Sequence, residues 1–131
     1  MVMKSFSLKI DYFIKENSVV VLSFYDNLYC ENIPQIKNLL SEFKENGINK
    51  IILNLSECFF IEKDIWDYLI EFKNELSKSN GDIIISNISG AVKNDYNLME
   101  LSYSLESFQN INDALYNFGI ITSGRYACLN L

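Results

Sequence analysis

A chain of 131 residues has room for one compact domain with a real core, and its 49% apolar and 14% aromatic content is not that of a disordered segment. A formal charge of −6 with no Lys/Arg cluster argues against nucleic acid as a partner, because binding to phosphate backbones draws on clustered cations. No window approaches the roughly 18 consecutive apolar residues of a membrane span, so no span is expected.

From the N-terminus, Phe6, Leu8, Ile10, Tyr12 and Ile14 alternate with Ser7, Lys9 and Asp11, the period of a half-buried strand. Val19 to Phe24 follows after the polar turn Lys15–Ser18 and forms its expected hairpin partner. Asn32 then opens a helix in a capping-box pattern with Gln35, and Pro34 sits in its first turn. Ile33, Ile36, Leu39, Leu40 and Phe43 make its apolar face, and Asn46-Gly47 ends it.

The run Lys50 to Leu55 is a near-continuous apolar strand of the kind covered on both faces. Ile65, Leu69, Phe72 and Leu76 recur at helical spacing up to Asn80-Gly81, and Ile83 to Ile85 is another buried strand. A looser helix is expected over Asp95 to Tyr103, a short strand near Phe108, and a last helix over Ile111 to Phe118 capped by Asn110. Strands alternating with helices imply an α/β fold with a mixed sheet, parallel apart from the opening hairpin. The expected organisation is a single domain over 1–131 with its core at about 6–118. The apolar tail from Ile120 to Leu131 reads as a docked strand or a contact with another chain.

The chemistry open to this chain is narrow. It has no histidine, which removes Ser-His and Cys-His nucleophiles and the usual acid–base group of neutral pH. Cys30, Cys58 and Cys128 lack CxxC spacing and read as reduced thiols of a cytoplasmic protein. Its five glycines form no phosphate-binding loop or dinucleotide fingerprint. Glu57, Glu62, Asp64 and Asp67 crowd one junction, where carboxylates can do acid–base work or hold a divalent ion, but their spacing matches no calcium loop and Lys63 stands among them. The bland alternative is structural, with Asp64 as the helix N-cap and Asp67 at its third residue, both favoured by the positive helix end. Neither a cofactor, a metal nor an enzymatic activity is expected.

The segment IILNLSECFFIEKDIWDYLIEFKNEL, residues 51–76, resembles the centre of a STAS domain, the fold of bacterial anti-sigma-factor antagonists. In that family a strand ending in an "LDLS"-like turn leads to an apolar pair and the tetrapeptide D-S-[ST]-G, where a helix opens. The resemblance runs over about Phe6 to Phe118, with Val20-Val21-Leu22, the turn Asp26-Asn27-Leu28 and LESFQNINDAL, residues 105–115, as further points of likeness. It implies a STAS-like α/β domain with about four helices.

The second hydroxyl of the family tetrapeptide is phosphorylated by a partner kinase that is also the anti-sigma factor. In this chain Asn54 replaces the usual Asp of the turn, Glu62 replaces the Asp of the tetrapeptide, Lys63 the first Ser and Ile65 the Gly. Asp64 falls at the phosphoacceptor position, so the switch by Ser/Thr phosphorylation is lost there or fixed as a negative charge.

The resemblance implies a non-enzymatic regulatory module that binds a protein partner, an anti-sigma factor or serine-kinase-like protein or another STAS-binding protein. The expected face comprises Glu62, Lys63, Asp64, Ile65, Trp66 and Asp67 with Asp26 and Asn27, in a loop running on to Glu31. Trp66 would be its anchor if exposed and part of the core if not. A homodimer is also compatible. The alternative is a lipid- or small-molecule-binding or transporter-accessory domain, in which Tyr25, Tyr29, Tyr96 and Tyr103 would line an amphipathic pocket.

Overall fold

The computed structural model describes residues 7–121. Phe6, Cys128 and the rest of the tail beyond Ile121 lie outside the described residues, and with them most of the expected docked tail. The elements run β1 (Ile10–Lys15), β2 (Val19–Phe24), a 3-10 turn (Cys30–Asn32), α1 (Ile33–Glu45), β3 (Lys50–Asn54), α2 (Lys63–Ser77), β4 (Asp82–Ser86), α3 (Gly90–Leu98), a second 3-10 turn (Leu101–Tyr103), β5 (Ser107–Phe108) and α4 (Ile111–Asn117).

The five strands lie side by side in chain order, with β1 antiparallel to β2 and the rest parallel. A sheet that grows in one direction through crossovers of one hand must place its connecting helices on one face. Here α1, α2 and α3 cover that face over Val20, Leu22, Ile51, Leu53, Ile83 and Ile85. The last helix, α4, covers the other, where Ala114, Leu115 and Ile120 pack on Val19, Val21, Ile52 and Ile84. The three central strands are therefore apolar at consecutive positions, as both-face burial demands.

Four local expectations need correction. The first strand is not half-buried: β1 is exposed along nearly its whole length, although the Phe43 ring of α1 meets Tyr12 edge-on at 5.0 Å. The capping box of α1 does not form. The Asn32 side chain instead accepts from the Tyr29 amide at 2.8 Å, and the Gln35 side chain from the Leu8 amide at 2.8 Å, so both carbonyls pin neighbouring segments.

Helix α3 begins five residues earlier than expected, at Gly90, and buries Val92 and Tyr96 one turn apart. It stops short of Tyr103 because Glu100 adopts a left-handed conformation, φ 54°, that no helix can continue. The fourth correction, at the start of α2, belongs to the site. By contrast α4 starts as expected, with the Asn110 side chain accepting from the Asp113 amide at 2.8 Å.

A candidate partner-binding face at the start of α2

In a parallel sheet the free space for ligands and partners lies beyond the carboxyl ends of the strands. Two connections meet there, one from β2 to α1 and one from β3 to α2. A single parallel bridge between Leu28 and Ile61 locks them together, with the Leu28 amide donating to the Phe60 carbonyl and the Glu62 amide to the Leu28 carbonyl, each at 2.9 Å. The Asn27 side chain accepts from the Phe59 amide at 3.0 Å, and one Glu62 oxygen accepts from the Cys30 amide at 2.6 Å. Four bonds between two loops make this a fixed surface, not a pair of independent tips.

Asn54 explains how the chain tolerates losing the usual Asp of its turn. Its amide donates to the Ser23 hydroxyl at 3.0 Å on the neighbouring strand, while its carbonyl accepts from the Ser56 amide at 3.2 Å. An aspartate could keep the second and could meet Ser23 only by accepting from its hydroxyl, with the direction of the first bond reversed.

The cap of α2 differs from expectation. Glu62, in extended conformation, is the residue before the helix; Lys63 opens it and Asp64 is its second residue. The Glu62 carboxylate makes no capping bond, because it is turned to Cys30. Asp64 stands exposed in the first turn, where the positive helix end favours it without a hydrogen bond. Asp67 lies beyond that turn and pairs with Lys63 at 2.8 Å, both side chains largely in solvent. The pair is a surface i,i+4 contact, which holds Lys63 pKa above its usual value through hydrogen bonding to Asp67.

Ile65 and Trp66 are removed from the expected face: each is 0% exposed. Trp66 is core, against Tyr96 with ring centroids 6.2 Å apart. Asp26 and Asn27 are only partly exposed, and both side chains serve the fold, Asp26 by accepting from the Lys9 amide at 2.8 Å and Asn27 as above. Lys63, Asp64 and Asp67 remain exposed, and the two connections add exposed aromatic side chains that the expected face did not include. Phe59 is 61% exposed, Phe60 41% and Tyr29 43%, and the Tyr29 and Phe60 rings touch at 5.5 Å. The one signal in the sequence was the spacing in Cys58-Phe59-Phe60-Ile61: the outer two residues bury, at 2% and 3%, which turns the inner two outward.

The Sγ of Cys30 and carboxylate oxygens of Glu62 and Asp64 come within 4.8 Å of one another. Hydrogen bonding to Glu62, with partial burial and the nearby Glu31, pushes the Cys30 thiol up to about 11. At neutral pH the group is therefore a protonated donor to carboxylates, and a metal would have to displace that proton to gain a thiolate ligand. The four tyrosines of the alternative reading do not converge. Tyr96 is buried with its hydroxyl on the Leu105 carbonyl at 2.6 Å, Tyr103 stands in solvent, and Tyr25 and Tyr29 lie on the β2–α1 connection.

The family model for the STAS domain matches residues 13–114. The chain belongs to the STAS family. No curated protein sequence matches this STAS domain. Among solved structures it is similar to a Thermotoga maritima protein provisionally described as an anti-sigma factor antagonist, with 24% identity, a TM-score of 0.77, and 85% of this chain and 95% of that one covered. The unphosphorylated form of the anti-sigma factor antagonist SpoIIAA superposes with a TM-score of 0.72 at 17% identity, covering 87% of this chain and all of that one. The fold also occurs within the murine anion transporter Slc26a9, at 18% identity and a TM-score of 0.64, where it spans 76% of this chain and 17% of the transporter. The five-stranded mixed sheet and four helices expected from sequence are thus the STAS fold.

Proposed function

We propose that this STAS domain is a non-enzymatic, cytoplasmic regulatory module that binds a protein partner through the start of α2, with its phosphoswitch replaced by a fixed charge. What supports the reading is Asp64: the sequence resemblance puts it at the family's phosphoacceptor place, and it is exposed and the one acidic residue of the first helical turn. A phosphoserine there would carry about −1.5 to −2 charge and could be removed; the aspartate carries about −1 and cannot. Beside it lie Lys63, Asp67 and part of Glu62, and next to these the aromatic surface of Tyr29, Phe59 and Phe60. A charged rim around aromatic anchors is the usual build of a protein-binding face. Lys63 and Asp64, both exposed, stand where the family tetrapeptide has hydroxyls, so the partner is a dedicated one and not a kinase that requires D-S-[ST]-G; Ile65 is buried and takes no part in that choice.

A second reading, as a transporter-accessory domain, is favoured only by the presence of the fold in an anion transporter. The two part on phosphorylation and partner class. Incubation with the kinases of the source cell, followed by peptide mass spectrometry, is expected to find no phosphate on any residue from 54 to 67. Phosphate on Ser56 would show that the switch has moved by a few residues instead of being frozen, and would sink the proposal.

A further inference from the structure

The open edge of the sheet carries information that the α2 face does not use. Edge strands are ordinarily blunted by shortness, proline, bulges or a central charge, because their free backbone groups invite pairing. β1 has no proline among its six residues, and its two charges, Asp11 and Lys15, flank the exposed run instead of interrupting it. Its six residues, IDYFIK, place Tyr12, Phe13 and Ile14 together in solvent at 51%, 42% and 41% exposure, between one acid, Asp11, and one base, Lys15. Among the described residues no strand lies beyond it.

Backbone direction follows from one bond. The Tyr25 amide donates to the Lys9 carbonyl at 3.0 Å, so residue 9 faces β2, and alternation along an antiparallel ladder turns Ile10, Tyr12 and Ile14 toward the open edge. Consistent with this, the Tyr12 amide is bound by its neighbour, the Asp11 carboxylate, at 2.9 Å and not by β2.

We infer that β1 pairs antiparallel with β1 of a second copy, about a two-fold axis at Phe13, joining two five-stranded sheets into one. This register sets Phe13 against Phe13, Tyr12 against Ile14 twice, and Asp11 against Lys15 twice. It brings together the outward backbone groups of Tyr12 and Ile14, which bond each other once the Tyr12 amide leaves the Asp11 carboxylate, and over residues 11–15 it makes every facing side-chain pair favourable: aromatic with aromatic, aromatic with β-branched, acid with base; beyond them Ile10 faces Glu16, a turn residue with φ 53°. The neighbouring registers lose this. An axis at Tyr12 opposes Lys9 to Lys15, and an axis at Ile14 sets Lys15 against Phe13 and Asp11 against Asn17, a turn residue with φ 55°. Charge therefore selects one register, and its self-complementarity fits an isologous dimer. Along the same edge a groove of about 220 Å³ runs between β1 and α1, with Tyr12, Ile14 and Phe43 among its apolar residues and Glu42 and Asn46 as its polar ones.

Sedimentation equilibrium of the full chain, up to several hundred micromolar, tests this. The unmodified protein is expected to dimerise with concentration. Asp11→Lys or Lys15→Asp alone sets like charges opposite each other at two symmetric places and weakens the dimer roughly tenfold or more, while the double exchange restores it to within about threefold. Both residues are exposed, and circular dichroism checks that each variant folds. A chain monomeric throughout overturns the inference, including the case in which its own segment 122–131 occupies the edge. A dimer indifferent to the single exchanges overturns it as well.

Discussion

Replacing Trp66 by alanine should cost about 3–5 kcal/mol of folding free energy, the range for truncating a buried Trp or Phe, and should read as a lowered midpoint in urea. Trp66 is the largest of the side chains with no exposure and packs in the main cluster with Tyr96 behind the start of α2. A cavity of indole size cannot be filled by the neighbouring β-strands, whose positions are fixed by pairing on both sides. Against a typical total stability of about 5–15 kcal/mol, the loss is large. Phenylalanine should cost far less, because it leaves a smaller void; it also removes the indole N–H, which is buried with no hydrogen-bond partner among the described residues. A Trp66→Ala protein unfolding within about 1 kcal/mol of the unmodified chain, well below that range, would mean that the indole is not core.

The second large effect is expected in binding. Changing Phe59 and Phe60 together to serine should reduce partner affinity by roughly 30-fold or more, the loss expected when central aromatic anchors are removed. Stability should shift by only about 1 kcal/mol, since both side chains are already wet and their backbone bonds to Leu28 and Asn27 survive. Calorimetric titration with the partner captured from the source cell, beside a denaturant curve, separates the two. Loss of stability with affinity intact would make the pair a structural lid.

The contrast between these two experiments reflects what the sequence made legible. Periodicity identified β1 to β4, α1 and α2, because burial on one helical face or on both sheet faces leaves a repeat that needs no partner to be read; α4 was read from its Asn110 cap. The family likeness supplied the fold and a candidate place for the site. What failed was everything set by a contact distant in sequence. The Gln35 carbonyl is taken by Leu8, 27 residues away, and the Glu62 carboxylate by Cys30, 32 residues away, so neither serves the cap that local spacing suggested. Trp66 followed the helical repeat of Ile65 and Leu69 into the core, while Phe59 and Phe60 are turned out beside the bridge between Leu28 and Ile61. β1 shows the same limit in reverse: its alternation promised a buried face, yet burial depends on how far α1 reaches, which the strand's own residues do not encode.

The central claim is that a permanent negative charge at residue 64 is what the partner reads. Its most direct test is the dissociation constant of that partner for three versions of the chain, unmodified, Asp64→Asn and Asp64→Lys, at two salt concentrations. Affinity should fall at neutralisation and again at reversal, and the spread between the three should narrow as salt rises, as screening of exposed charges requires. Three equal constants, with each protein folded, would show that Asp64 only favours its helix and that the partner, if it binds here, ignores the charge.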